Sequence, residues 1–324
     1  MKKLLIISLI LLTACGGNTN TKEQSANTLK VGLVTWIGYT PFYVAQKKGF
    51  FQKRNLTVEL NRIEGDAERR AAIASGKLDA SALTLDAMIV LRAQGIPVKT
   101  ILALDASIGG DGILAKPDIQ SLADLKGKTV AYPSGQPSHF FLWAVLKAQG
   151  MQLNEVKPII MDANQAGAAF IAGRVDAAVT WEPYLTKAIQ TTDGHILADS
   201  KQQPGLIEDV LFVREEVIDQ KKEALQALVD AWFEAVDYMQ QHPEEAKQIA
   251  AEAFSITTEE VNLMYNKVRF EGKAENQQAF SQNTEGFSLY TLYNQVVEAW
   301  TAEGVIKKGS QPAEGIDPQF ISAQ

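Results

Sequence analysis

The chain has 324 residues, of which 46% are hydrophobic and 21% charged, with a formal charge of −7. That composition excludes wholesale disorder and a polytopic membrane protein, and the length suits one large α/β domain or two lobes of ordinary size. An acidic balance argues against a nucleic-acid binder, which usually shows a basic face. Cys15 is the one cysteine, which excludes an intramolecular disulfide, a CxxC pair and a cysteine-cluster zinc site. The three histidines, His139, His195 and His242, are far apart, and no metal or other cofactor is expected.

Met1-Lys2-Lys3 gives a basic start, and Leu4 to Leu12 follow with only Ser8 polar. This run is too short to span a bilayer, which takes about 20 residues. It reads as the apolar stretch of an export signal, with small residues before a cut. Leu12-Thr13-Ala14-Cys15 resembles the bacterial lipobox. The resemblance implies removal of residues 1–14 and a lipid on the Cys15 thiol, with a plain secretory signal as the alternative. Losing Lys2 and Lys3 takes the charge from −7 to −9. Residues 15–28 then read as a flexible tether.

Val31-Gly32-Leu33-Val34 reads as a buried strand, followed by a polar turn and a helix Phe42–Lys48 that stops at Gly49. Residues 71–81 (AAIASGKLDAS) read as a helix end, a glycine cap and a strand Leu78–Leu83. Both patterns recur about one hundred residues on, in the same order. Val130-Ala131-Tyr132 precedes the turn Pro133–Pro137 and a helix Ser138–Gln149, and residues 168–178 (AAFIAGRVDAA) lead into a strand Val175–Thr180. The kept order favours duplication of one unit over chance likeness of a common helix-to-strand junction.

Alternating strands and helices predict an α/β protein of two lobes, with parallel-type sheets and helices on their faces. Lobe 2 (111–204) reads as an insertion into lobe 1 (29–110 plus 205–324). Two stretches rich in small and turn-forming residues, Leu104–Gly110 and Ala198–Gly205, make the crossings. Lobe 1 resumes with a strand Val210–Val213. Lys222–Gln241 then carries Leu225, Leu228, Val229, Trp232, Phe233, Val236 and Met239 at helical spacing. Pro243 opens another helix, Thr257-Thr258-Glu259-Glu260 reads as a capped start, and Ser288–Glu303 is the last helix. Trp232 and Trp300 are assigned to the core.

In open parallel sheets, ligands bind beyond the carboxyl ends of the strands. The turns Thr35–Thr40, Glu64–Asp66 and Thr84–Asp86 in lobe 1 therefore nominate a cleft, with Ser134–His139, Asp162–Asn164 and Trp181–Pro183 in lobe 2. Pro41, Pro137 and Pro183 suit first helical turns. Free amides there, with the helix dipole, favour an anionic group. Trp36, Tyr39 and Trp181 supply aromatic walls beside the hydroxyls of Thr35, Thr40, Ser134 and Ser138, which is what a small-molecule pocket needs. Trp36 and Trp181 packed under their loops is the alternative. Gly38, Thr84 and Gln136 belong to the same turns. Asp86 and Glu182 occupy near-equivalent turns, where each takes a ligand amine or hydroxyl or caps its helix. His139 either donates to an anion or sits partly exposed in its loop, the second reading being preferred.

The segment from Val31 to Ala45, followed by Lys48-Gly49-Phe50-Phe51, resembles the opening of ABC-importer solute-binding proteins. The branch is the one for aliphatic sulfonates, taurine and nitrate, with thiamine-pyrimidine precursor binders as relatives. Asp111-Gly112-Ile113-Leu114-Ala115, Leu122 to Lys128 and Val179 to Tyr184 match its later landmarks, so the likeness covers about residues 29–310. It implies a type II periplasmic-binding fold with a two-strand hinge, closing on one small anion or zwitterion such as a sulfonate or taurine. The alternatives it leaves are a pyrimidine or other flat heteroaromatic, and a ligand sensor without transport. It places Trp36, Tyr39, Ser134, Ser138 and Glu182 at ligand contacts. It also implies a separate permease and ATPase, a monomer, and an exported protein held to the membrane by its lipid alone.

An enzyme is not expected. No GxSxG elbow, HExxH helix or GxxxxGK[ST] loop occurs, and the only cysteine belongs to the leader junction.

Overall fold

The computed structural model describes residues 27–282 and 286–322, apart from the side chains of Asp66 and Ser322. The leader, Cys15 and residues 15–26 of the tether lie outside the described residues.

The first half of lobe 1 alternates β1 (Thr28–Leu33), α1 (Thr40–Lys47), β2 (Thr57–Arg62), α2 (Asp66–Ala74), β3 (Ala80–Thr84), α3 (Leu85–Ala93) and β4 (Val98–Ser107). Lobe 2 continues with β5 (Asp111–Ala115), β6 (Thr129–Tyr132), α4 (Pro137–Ala148), β7 (Lys157–Ile160), α5 (Ala163–Ile171), β8 (Ala177–Trp181), α6 (Tyr184–Thr191) and β9 (His195–Asp199). The chain then returns through β10 (Glu208–Arg214), α7 (Glu215–Gln220), α8 (Lys222–Gln241), α9 (Pro243–Phe254), α10 (Thr258–Tyr265), β11 (Val268–Phe270), α11 (Lys273–Ala279) and α12 (Leu289–Ala302).

The repeated sequence is a repeated bonding pattern. Gly76 and Gly173 hold left-handed φ values of +75° and +70° where α2 and α5 end, a conformation that costs glycine nothing. Three residues later an aspartate reaches the neighbouring strand. Lys30 N donates to Asp79 Oδ2 at 2.9 Å, and Thr129 N donates to Asp176 Oδ2 at 2.9 Å. Each carboxylate also meets a lysine, Lys221 at 3.0 Å and Lys116 at 2.9 Å. The bond from Lys116, with those from Thr129, holds the Asp176 carboxyl well below the usual range. These side-chain bonds occupy the entry to each strand. The ladders therefore start at Ala80 and Ala177, two residues after the expected Leu78 and Val175.

Both sheets are mixed, which corrects the expectation of parallel-type sheets. The six-stranded sheet runs β11-β4-β10-β3-β1-β2 and the five-stranded sheet β7-β6-β8-β5-β9. β10 is antiparallel to β3 and β4, and β5 is antiparallel to β8 and β9. The reason is the hinge. Both crossings lie at the carboxyl ends of the parallel strands, so a strand arriving from the other lobe begins where its neighbours end. The first crossing is shorter than the expected Leu104–Gly110, because β4 extends to Ser107, and the second is displaced from the expected Ala198–Gly205, because β9 extends to Asp199 and β10 starts at Glu208. Ser200 ties them together: Gly109 N donates to its Oγ at 2.7 Å, and Ser107 Oγ lies 2.8 Å away.

Lobe 1 has one large core and lobe 2 a cluster on each sheet face. All seven apolar residues that the spacing picks out in α8 are buried. Trp232 and Trp300 are fully buried, as expected of core residues, and each indole still finds an acceptor. Trp232 Nε1 donates to Glu271 O at 3.0 Å and Trp300 Nε1 to Asp86 O at 3.3 Å. Thr257 caps α10, exchanging bonds with Glu260. The lobes meet where α4 packs against α3 and α12. Phe140 of α4 enters the lobe 1 core, its ring centroid 5.8 Å from that of Trp300.

Candidate ligand cleft

The reversed strand β10 carries two acidic residues to the cleft end of the lobe 1 sheet. In register, Asp209 stands opposite Thr84 of β3 on one side and opposite Asp105 of β4 on the other. The turn after β1 folds onto this row. Trp36 Nε1 donates to Asp105 Oδ1 at 2.9 Å, and Tyr39 donates its hydroxyl hydrogen to Asp209 Oδ1 at 2.5 Å. Gly38 is required by the same approach: a Cβ there would stand 2.0 Å from Asp105 Oδ2. Thr40 turns inward and donates to Ile37 O at 2.6 Å. Exposed Thr35 instead donates to Glu64 Oε1 at 2.6 Å, joining the turns after β1 and β2.

The opposite wall is the start of α4. Ser138 and His139 are buried, so the preferred expectation of a partly exposed loop histidine is corrected. The imidazole lies between Tyr132 and Trp300, with centroids 5.2 and 5.0 Å away. Gly135 N donates to His139 Nδ1 at 3.0 Å, which leaves the ring hydrogen on Nε2. Burial pushes the His139 pKa down to about 4, so the ring is neutral at pH 7. Ser134 is exposed and Gln136 half-buried at the helix cap, so neither shares the burial of Ser138.

Both tryptophans of the turns pack against protein. Trp36 is 9% exposed in the lobe 1 core, and its ring edge lies against Gly110 of the hinge. Half-buried Trp181 comes from lobe 2 yet packs on the lobe 1 core. Glu182, 3% exposed, caps α6: it accepts Thr186 N at 3.0 Å and Thr186 Oγ1 at 2.8 Å. It also accepts the ammonium of Lys267, which arrives from lobe 1 just before β11. Asp86 is 4% exposed, and among the described residues its Oδ2 has no hydrogen-bond partner. Thr84 Oγ1, Ser138 Oγ and His139 Nε2 are likewise buried without partners.

The electrostatics of this end are set by burial. It raises Asp86 and Asp111 to about 7. The first-turn amides pull Asp86 back, and Ser107 does the same for Asp111. Asp105 and Asp209 are both raised, chiefly by burial, with the Asp209 charge adding to the rise at Asp105 and those of Asp111 and Asp86 to the rise at Asp209. Burial and Glu271 raise Glu208 as well. Cations stand beside the cluster: Lys267 on Glu182, Arg269 on Glu271 at 2.7 Å, and buried Arg69, which bonds Ile63 O at 2.9 Å and lowers Asp209 through space. Among the described residues, no group of three or more His, Cys, Asp or Glu is placed to hold a metal ion.

Sequence reasoning missed Asp105, Asp111, Asp209, Arg69 and Lys267. Asp105 and Asp111 flank a crossing that was read for its small residues. Asp209 lies on the reversed strand β10 and Lys267 just before the reversed strand β11, which the expectation of parallel-type sheets did not include.

Two mixed sheets joined by a double crossing, with helix starts facing each other across the hinge, define the two-lobed fold of periplasmic binding proteins. The aliphatic sulphonate binding protein SsuA of Escherichia coli superposes with a TM-score of 0.75, at 18% identity, covering 92% of this chain and 99% of that one. The chain belongs to the NMT1/THI5-like family, whose pattern matches residues 36–246. Its sequence is 27% identical over 262 residues to a formylaminopyrimidine-binding protein of Halalkalibacterium halodurans, covering 77% of this chain and 78% of that one. It is also 27% identical over 231 residues to the taurine-binding periplasmic protein of Escherichia coli, covering 70% of this chain and 65% of that one. These relatives are named as binding proteins. No helix among the described residues is long and apolar enough to cross a membrane.

Proposed function

We propose that the chain is the solute-binding component of an ABC-type importer, closing its lobes on a small organic anion or zwitterion of the sulfonate or taurine kind and delivering it to a separate permease. The observation that carries this reading is the start of α4, where the Ser138 hydroxyl and His139 Nε2 are buried and unpartnered beside the lobe 1 wall. With the positive end of that helix dipole they make a donor set for an anionic end. Tyr39, Thr84, Asp86 and the Trp36 and Trp181 rings complete the walls on this reading, and Glu182 serves the structure of the cleft. A second reading, a flat amine-bearing heteroaromatic, is favoured by the unpartnered carboxylate oxygen of Asp86 and by the relative named for formylaminopyrimidine. The proposal includes export and lipid attachment at Cys15, which Cys15→Ser tests by releasing the protein from membranes.

Native mass spectrometry of protein purified from its host weighs any co-purified solute, and thermal shift against sulfonates, aminosulfonates and aminopyrimidines tests capture directly. Absence of both a co-purified mass and any stabilisation overturns solute capture.

A further inference from the structure

We propose that Asp86 sets the specificity of the cleft by accepting a hydrogen bond from a nitrogen of the bound solute, while Glu182 is reserved for the chain's own Lys267. The inference rests on the solute-capture reading above.

The two acids occupy corresponding turns of the duplicated unit, after β3 and after β8, yet their surroundings differ. Glu182 accepts two bonds from Thr186 and one from the Lys267 ammonium, so its acceptor capacity is largely used. Lys267 thus stands where an amine of the ligand would otherwise bind. Asp86 has no such internal cation. The indole of Trp300 donates to its backbone carbonyl, and Oδ2 is left buried with no partner. A buried acceptor without a donor is costly, so an orphan of this kind marks the place of a missing partner. An unpartnered carboxyl oxygen calls for a hydrogen-bond donor, which a solute N–H supplies. Across the interface, Ser138 Oγ and His139 Nε2 are also unpartnered, and His139 and Asp86 both contact Trp300. A solute with nitrogen at one end and an anionic or acceptor group at the other satisfies both sets at once. Taurine-like zwitterions and aminopyrimidines share that chemistry.

The test is calorimetric titration of the full mature protein with two matched pairs: taurine against ethanesulfonate, and 4-aminopyrimidine against pyrimidine. In at least one pair, the nitrogen-bearing member is expected to bind about tenfold or more tighter. Asp86→Asn, which keeps the volume, is expected to reduce that ratio toward one. Equal binding within both pairs, a ratio that survives Asp86→Asn, or no binding by either nitrogen-bearing probe overturns the assignment. Should the variant fail to fold, the paired comparison on the native protein decides alone. A co-purified solute without an N–H group defeats the role of Asp86 and leaves solute capture standing, whereas no co-purified solute and no binding of any kind defeats both.

Discussion

Tyr39 donates its hydroxyl hydrogen to Asp209 Oδ1 across 2.5 Å, joining the turn after β1 to a strand 170 residues later. Burial raises the pKa of both groups, and the bond keeps Asp209 lower than burial alone would leave it. Tyr39→Phe removes the donor and strands a buried carboxyl. The expected loss is about 1–3 kcal/mol, read as a lower urea midpoint with an unchanged slope.

Gly38 lets the 36–39 turn lie directly on Asp105. Its missing Cβ would stand 2.0 Å from Oδ2 of a fully buried side chain that Trp36 holds in place. Gly38→Ala must push that carboxylate or the turn aside, at about 1–3 kcal/mol. Because the turn lines the proposed cleft, solute affinity should fall along with the melting temperature.

Lys267 and Glu182 join the two lobes beside the hinge, where Ile108 N donates to Lys267 O at 2.8 Å and Glu182 N donates to Gly110 O at 2.9 Å. Lys267→Met leaves the buried Glu182 carboxylate with only its Thr186 donors. A cost of about 2 kcal/mol is expected, below the usual range for breaking a buried pair because the lysine is partly exposed. Adding Glu182→Gln should restore most of the loss, since the uncompensated charge is then gone. A double-mutant cycle in urea measures the difference, and simple additivity would contradict the account.

Stability should fall with rising pH between about 4 and 7. Asp86 and Asp111 have folded pKa values of about 7 against an ordinary 3.8, so the folded chain holds more protons than the unfolded one in that window. Their contribution is complete below the ordinary value and is lost as pH rises through 7. His139, lowered from 6.5 to about 4, works the other way, with its contribution present above 6.5 and lost as pH falls through 4. Asp209 is raised to about 7 as well, so three carboxyls against one imidazole leave a net decline, and the ligand-free protein should melt at a higher temperature at pH 5 than at pH 8. Asp111→Asn should flatten that slope.

Ser200 holds the crossings together. Ser200→Ala strands the buried Gly109 N and removes the Ser107 hydroxyl's partner across the crossing, at about 1–3 kcal/mol. Hydrogen exchange should show the loss first at residues 107–111, ahead of the sheet interiors.

Much of the fold was legible because its signals are local. Helical spacing of Leu225 to Met239 depends on nearby residues alone, and α8 has the bounds Lys222–Gln241 that this spacing gives. Thr257 with Glu260, and Gly76 with Gly173, announced their caps the same way. The strand-to-helix turns were legible too, which is why Trp36, Tyr39, Thr84, Asp86, Ser138 and Glu182 were named. Their surroundings were less so. His139 is covered by Trp300 of α12, and the indole of Trp36 binds an aspartate 69 residues away.

The sequence by itself determined the elements, the duplicated unit and the turns that face the hinge, since each rests on periodicity or capping within a few residues. Tertiary structure alone decided the direction of β5 and β10, the Thr84–Asp209–Asp105 row and the partner of each acid. Asp86 and Glu182 look alike in sequence, in corresponding turns of two copies of one unit. Lys267 separates them, because a chain that returns across the hinge can reach one copy and leave the other open, and nothing near either acid in sequence records which it will be.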